Sequence, residues 1–207
     1  MYLSTSDCIQ HRRAPGSTEA SAFMAGVNYV LGGLLAGGAR VVLTAGHGMK
    51  PKHRVDGTLN VTYLDQALAA IPAATGARVI LPIMDPYVAH HGAFDTIYLP
   101  TGIDPTPVIE ILRRVPGIDE VLDSNAACLA YALPPDRVGG IVVTITACTA
   151  LGAAPDKHDL TGLDAPLRSH VGLEEQLMPA IVNDTLGVAT EDRRNFDAWK
   201  STTKTFI

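Results

Sequence analysis

The chain is poor in cysteine, in unbroken apolar runs and in surplus positive charge. Its 207 residues hold three cysteines, Cys8, Cys128 and Cys148, an odd number without C-x-x-C spacing. That fits a reducing compartment better than a disulfide framework, so the cytoplasm is the expected location. Gly, Pro or charge breaks every apolar stretch well short of the roughly 20 residues a membrane helix needs, so no membrane span is expected. The opening "MYLSTSDCIQHRR" has no basic region followed by an apolar one, and no secretory signal is read there. A formal net charge of -5, with no long Lys/Arg run, excludes the electrostatic footprint of a nucleic-acid or anionic-membrane binder. No internal repeat or low-complexity segment is present.

What is there suits one ordinary globular core: 47% of residues are hydrophobic and 18% charged. "YLST" reads as the end of a strand. After Ser17, an expected N-cap, Ala20, Phe23, Met24, Val27, Leu31 and Leu34 recur at helical spacing, and Gly37 and Gly38 stop the stripe. A strand over 40–44, a helix from Tyr63 to Ile71 and a buried strand "ARVILPI" follow. "DTIYLP" is the next strand, and Asp104 with Pro105 opens a helix through Leu112. "DEVLD", a short helix around Cys128 and the strand "GGIVVTI" complete the pattern. Alternation of β-rich runs with helical stripes predicts an α/β fold, a mainly parallel sheet with helices on both faces. Functional loops then gather at one sheet edge. Residues 1–186 read as the domain and 187–207 as a polar tail that Trp199 either packs down or leaves to fray.

Several polar side chains stand where such a fold places its chemistry. Asp7 and His11 are four apart, so one turn of helix puts them on the same side, where they can share a metal ion. His47 follows the strand "VVLTA" and is flanked by Gly46 and Gly48, which allow close backbone approach. His170 lies in "PLRSHVGLEEQ", between polar residues and ahead of an apolar run. Carboxylate and neutral imidazole from several strand-end loops suit Zn²⁺ and leave room for substrate. His90 and His91 are adjacent and point to opposite sides of an extended chain, so at most one lines a pocket, and a structural role is favoured. Lys50, Lys52 and His53 read as a solvated loop more readily than an anion clamp. Cys8 has no base implied by spacing, which argues against a nucleophile.

Taken in order, "YLSTSDCIQHRRAPG", "LTAGHGMKPKHRVDGTLNVTYL", "RVILPIMDPYVAHHGAF" and "DLTGLDAPLRSHVGLEEQLMPAIVN" resemble the C-terminal half of the phosphonoacetate hydrolase family, within the alkaline phosphatase and nucleotide pyrophosphatase superfamily. The resemblance implies an alkaline phosphatase-like fold without its N-terminal part, and zinc-dependent hydrolysis of phosphonoacetate to acetate and phosphate. It implies two zinc ions at the sheet edge. Asp7, His11 and His170 match the three protein ligands of one zinc, so one complete site is expected. His47 matches a ligand of the second, where the family has an Asp-His dipeptide and this chain has Gly46-His47. The nucleophilic threonine, a further aspartate and the lysines that grip the substrate carboxylate belong to the N-terminal half, so no catalytic nucleophile is assigned here and the isolated chain is expected to be impaired. Val171 stands where the family tends to have Gly after the ligand histidine. Two other readings are a non-catalytic domain holding a single zinc and a phosphodiesterase or nucleotide pyrophosphatase type of hydrolase. A sheet short of neighbouring strands would leave an edge open to self-association.

Overall fold

The computed structural model describes residues 5–81, 93–157, 166–183, 194, 195 and 197. Residues 2–4 of the strand read at "YLST", the pair His90 and His91, and Trp199 lie outside the described residues, as does nearly all of the polar tail, while Thr5, the last residue of that reading, is helical. The chain divides into two compact units, one of residues 1–48 and 175–207, the other of residues 49–174.

In the first unit, helix α1 (Thr5–Arg12) is followed by α2 (Thr18–Ala36). Ser17 caps α2 as expected: its hydroxyl accepts from the Ala20 amide at 3.3 Å, and Gly37 closes the other end. Ala20, Phe23, Val27 and Leu31 form the half-buried stripe, while Met24 and Leu34, expected in it, are more exposed. Strand β1 (Val42–Leu43) pairs antiparallel with β10 (Ile181–Val182). Asn183 extends that pairing with its side chain, accepting from the Val41 amide at 2.8 Å and donating to the Ala39 carbonyl at 3.1 Å. This is the support from which the His47 loop leaves.

The second unit begins with β2 (Lys50–Pro51), β3 (Val61–Tyr63), helix α3 (Leu64–Ala69), β4 (Arg78–Ile80) and β5 (Phe94–Tyr98). Helix α4 (Thr106–Leu112), β6 (Ile118–Asp123), helix α5 (Ser124–Tyr131), β7 (Ile141–Ile145), β8 (Ala150–Gly152) and β9 (Arg168–Ser169) follow. Its main sheet has the order β4-β5-β7-β6. All five residues of β7 are buried, as a central strand covered on both faces requires. One face carries Ile97, Val121, Ile141, Val143 and Ile145 against Leu64 and Leu68 of α3 and Val108 and Leu112 of α4. On the other, Phe94 meets Tyr131 of α5 edge-on, with ring centroids 6.4 Å apart. Helices on both faces are therefore as expected.

Strand direction is not. Among the described strands only β3 and β8 pair parallel, and every pairing in the four-stranded sheet is antiparallel. The β6–α5–β7 segment shows why the alternation misleads. A helix between two strands usually crosses over to give parallel neighbours. Here α5 is a short excursion that returns to its starting point: Asp123 at the end of β6 faces Ile141 at the start of β7, and the Ser124 amide donates to the Gly140 carbonyl. Asp123 caps α5 by accepting from the Ala126 amide at 2.9 Å, and Ala132, at φ 54°, ends it in the left-handed region.

Candidate metal site

Helix α1 places the first pair. Asp7 in its first turn and His11 in its last are one turn apart, and His11 Nε2 lies 3.5 Å from Asp7 Oδ1. The His11 ring is almost wholly buried, with 1% of its side chain exposed, whereas Asp7 is open to solvent by 36%. His47, in the same unit, brings its Nε2 to 3.8 Å from that same Asp7 oxygen. Its Nδ1 donates to the Gly48 carbonyl at 2.9 Å. One carboxylate oxygen thus faces two imidazole nitrogens.

The loop that carries His47 is held by backbone. The Gly48 amide donates to the Glu175 carbonyl at 2.6 Å, and a Cβ at position 48 would lie 3.3 Å from that oxygen and 3.4 Å from the Glu175 Cα. Glycine at 48 is therefore what lets the two segments approach. A Cβ at Gly46 would meet nothing within 4 Å, so a side chain at 46 is not sterically forbidden.

His170 belongs to the second unit, directly after β9, and is half-buried. Val171 beside it has φ 82°, in the left-handed region that a β-branched residue enters only with strain. The departure from Gly noted in the sequence is thus visible in the backbone.

One sequence reading changes. Lys52 is not solvated: it is fully buried, its amide donates to the Leu167 carbonyl, and its ammonium donates to the Ala147 carbonyl at 2.9 Å. Pairing of β2 with β9 turns it inward, while Lys50 stays at the surface and meets Glu174 at 2.6 Å. Glu174 is held below the usual carboxylate range by that ion pair. The sequence also gave no sign of Glu175, a buried acid whose carbonyl anchors Gly48. Cys8 is exposed, beside Asp7 in sequence, and no disulfide forms among the described residues.

The donor set fits a zinc-type ion. A carboxylate oxygen and imidazole nitrogens are its usual ligands, and bonds of about 2.0–2.1 Å in a tetrahedron set neighbouring donors about 3.3 Å apart. The separations of 3.5 and 3.8 Å lie close to that spacing.

No family model matches the chain. Among solved structures, phosphonoacetate hydrolase from Sinorhizobium meliloti in complex with phosphonoformate is 43% identical, with a TM-score of 0.87 over 95% of this chain and 49% of that one. The same enzyme with phosphonoacetate gives 43% and 0.86. Murine ectonucleotide pyrophosphatase/phosphodiesterase 5, in complex with AMP, matches at 17% identity and a TM-score of 0.60, covering 88% of this chain and 46% of its own, which is a likeness of fold. The chain spans about half the length of each. Over that half the chain is homologous to phosphonoacetate hydrolase.

Proposed function

We propose that this chain is part of a zinc-dependent hydrolase that splits phosphonoacetate into acetate and phosphate. Residues 1–186 would form part of the hydrolase domain and 187–207 a polar tail. The observation that carries the reading is 43% identity along 95% of the chain to an enzyme solved with phosphonoacetate, together with a ligand pair already in place on α1. In this reading Asp7, His11 and His170, the positions that match the family's three protein ligands, supply one carboxylate and two imidazoles to one zinc. His47 is the fourth metal-binding residue in this reading.

Bound zinc would polarise the phosphonate oxygens and offset their charge. The chain's own share is positioning: α1 fixes Asp7 against His11, and the Gly48 carbonyl fixes the ring of His47. No residue here is assigned as nucleophile. The substrate is a small phosphonate, with no part for nucleic acid or membrane; no described helix is long and apolar enough to cross one. We place the protein in the cytoplasm, and read the edge strands β4 and β6 as where copies of the chain would associate.

Three measurements on the purified chain test this: zinc content by elemental analysis, calorimetric titration of phosphonoacetate with and without zinc, and phosphate release followed in parallel. About one zinc per chain and zinc-dependent phosphonoacetate binding are expected. Zinc bound without any affinity for the phosphonate would contradict the enzyme reading and leave a non-catalytic zinc domain. Since space at position 46 is open, Gly46→Asp should raise the zinc bound per chain above the wild-type value.

A further inference from the structure

We propose that the exposed apolar side of helix α2 is a docking face, and that its occupant is a polypeptide homologous to the half of phosphonoacetate hydrolase that this chain does not match. The proposal stands on the homology and on the surface of α2, and it does not depend on zinc.

Between Thr18 and Ala36 the helix carries one charged residue, Glu19, and that lies in its first turn. A surface helix turns charge to water on the side away from its core, whereas a helix apolar all round belongs inside a protein. Helix α2 has the composition of the second kind and the exposure of the first, since none of its 19 residues is buried. Ala20, Phe23, Val27 and Leu31 form its half-buried stripe. On the far side Ala22, Gly26, Tyr29 and Gly33 follow at helical spacing in one line, all exposed. Tyr29 is open by 84%, and a Cβ at Gly26 or Gly33 would meet nothing within 4 Å. Small residues beside one aromatic ring let a second backbone lie close and the ring pack over it.

A second observation comes from β1 in the same unit. The apolar run "RVVLTA" suits a strand, yet among the described strands β1 keeps only Val42 and Leu43 and pairs on one side, with β10. An edge without a partner strand is open to further pairing. In the other unit, by contrast, α3 and α4 bury Leu64, Leu68, Val108 and Leu112 against its own sheet.

Length says what the occupant is. The match to the Sinorhizobium meliloti enzyme runs over 95% of this chain but 49% of that one, so that enzyme folds this half together with about as much chain again. The half in hand leaves one helix and one strand edge short of cover, both in the same unit. A second copy of this chain would have to cover both with the same two elements, whereas the unmatched half supplies new ones.

The test is maleimide labelling of introduced cysteines, read peptide by peptide with mass spectrometry so that Cys8, Cys128 and Cys148 are resolved. Tyr29→Cys and Gly33→Cys report on α2, and Ile111→Cys, at a position 40% exposed on α4, is the control. Each is made in the full chain alone and in one polypeptide that joins the unmatched half of the Sinorhizobium meliloti enzyme to it. Labelling at positions 29 and 33 should slow by at least about tenfold in the joined protein, as burial of an open site does, with position 111 unchanged. Equal rates at 29 and 33 in the two proteins would overturn the proposal. So would the same slowing in the chain alone as its concentration rises, which makes a second copy the occupant. Slowing at 111 by the same factor overturns it as well, because the protection is then not particular to α2. Zinc content, which tests the proposed function, is read separately and is untouched by any of these outcomes.

Discussion

The two units bury different kinds of residue. Between residues 49 and 174 the chain packs Leu64, Ile97, Val108, Leu112, Ile141 and Val143 with almost no exposure. In the unit with α1, α2 and the His47 loop, the buried side chains among the described residues are His11 and Glu175, both polar. Its 19-residue helix α2 buries none, and Met24 and Tyr29 are exposed by 54% and 84%. Apolar burial is the main drive to fold, so one unit holds that drive and the other holds Asp7, His11 and His47. A part of a protein that buries little gains its stability from what binds it.

The sharpest way to break this comparison is to cut side chains in each unit. Leu112→Ala, in the core, should cost about 2–5 kcal/mol, while Leu34→Ala on α2 should stay within about 0.5 kcal/mol. Urea denaturation of both variants measures it, and equal losses would erase the contrast. Next in size is Gly48→Ala. The added methyl would press on the Glu175 backbone at 3.3 Å, so the loop must move, at about 1–3 kcal/mol for an overpacked contact. Zinc affinity should fall with it, since His47 moves too.

Asp95 offers a pH test confined to the core unit. It is fully buried on β5 with no hydrogen-bond partner for either oxygen, and burial pushes its carboxyl well above the usual range. The folded state therefore holds this proton more tightly than the unfolded state. Its contribution is whole below the unfolded value, about pH 4, and is lost as pH rises through the folded value. Asp95→Asn should flatten that decline in a series of melts above about pH 4; an unchanged slope would contradict it. The smallest effect is at Val171. Because φ is 82°, Gly should be more stable than Ala there by about 1 kcal/mol, the reverse of the usual order, as comparison of Val171→Gly with Val171→Ala would read.

Features legible in the sequence were the local ones. Ser17 marks a helix start because a cap acts within three residues, and Asp104, just ahead of the Pro105 N-cap of α4, accepts from the Thr106 amide at 2.9 Å. Asp7 and His11 meet because one helical turn brings them together. The ordered motifs also carried the family. What could not be read depends on distant pairing. The antiparallel return of β7 onto β6 is fixed by how α5 and its loop close, and the burial of Lys52 by β9. That His47 faces the oxygen of Asp7 is a tertiary fact with no signature in spacing.

The most direct test of the account is hydrogen exchange of the full chain with and without zinc. Amides of Thr5–Arg12 and of residues 41–48 should gain protection when zinc binds, while Ile141–Ile145 in the apolar core should change little. Zinc binding that leaves α1 and the His47 loop unprotected, or that protects the core strand instead, would contradict it.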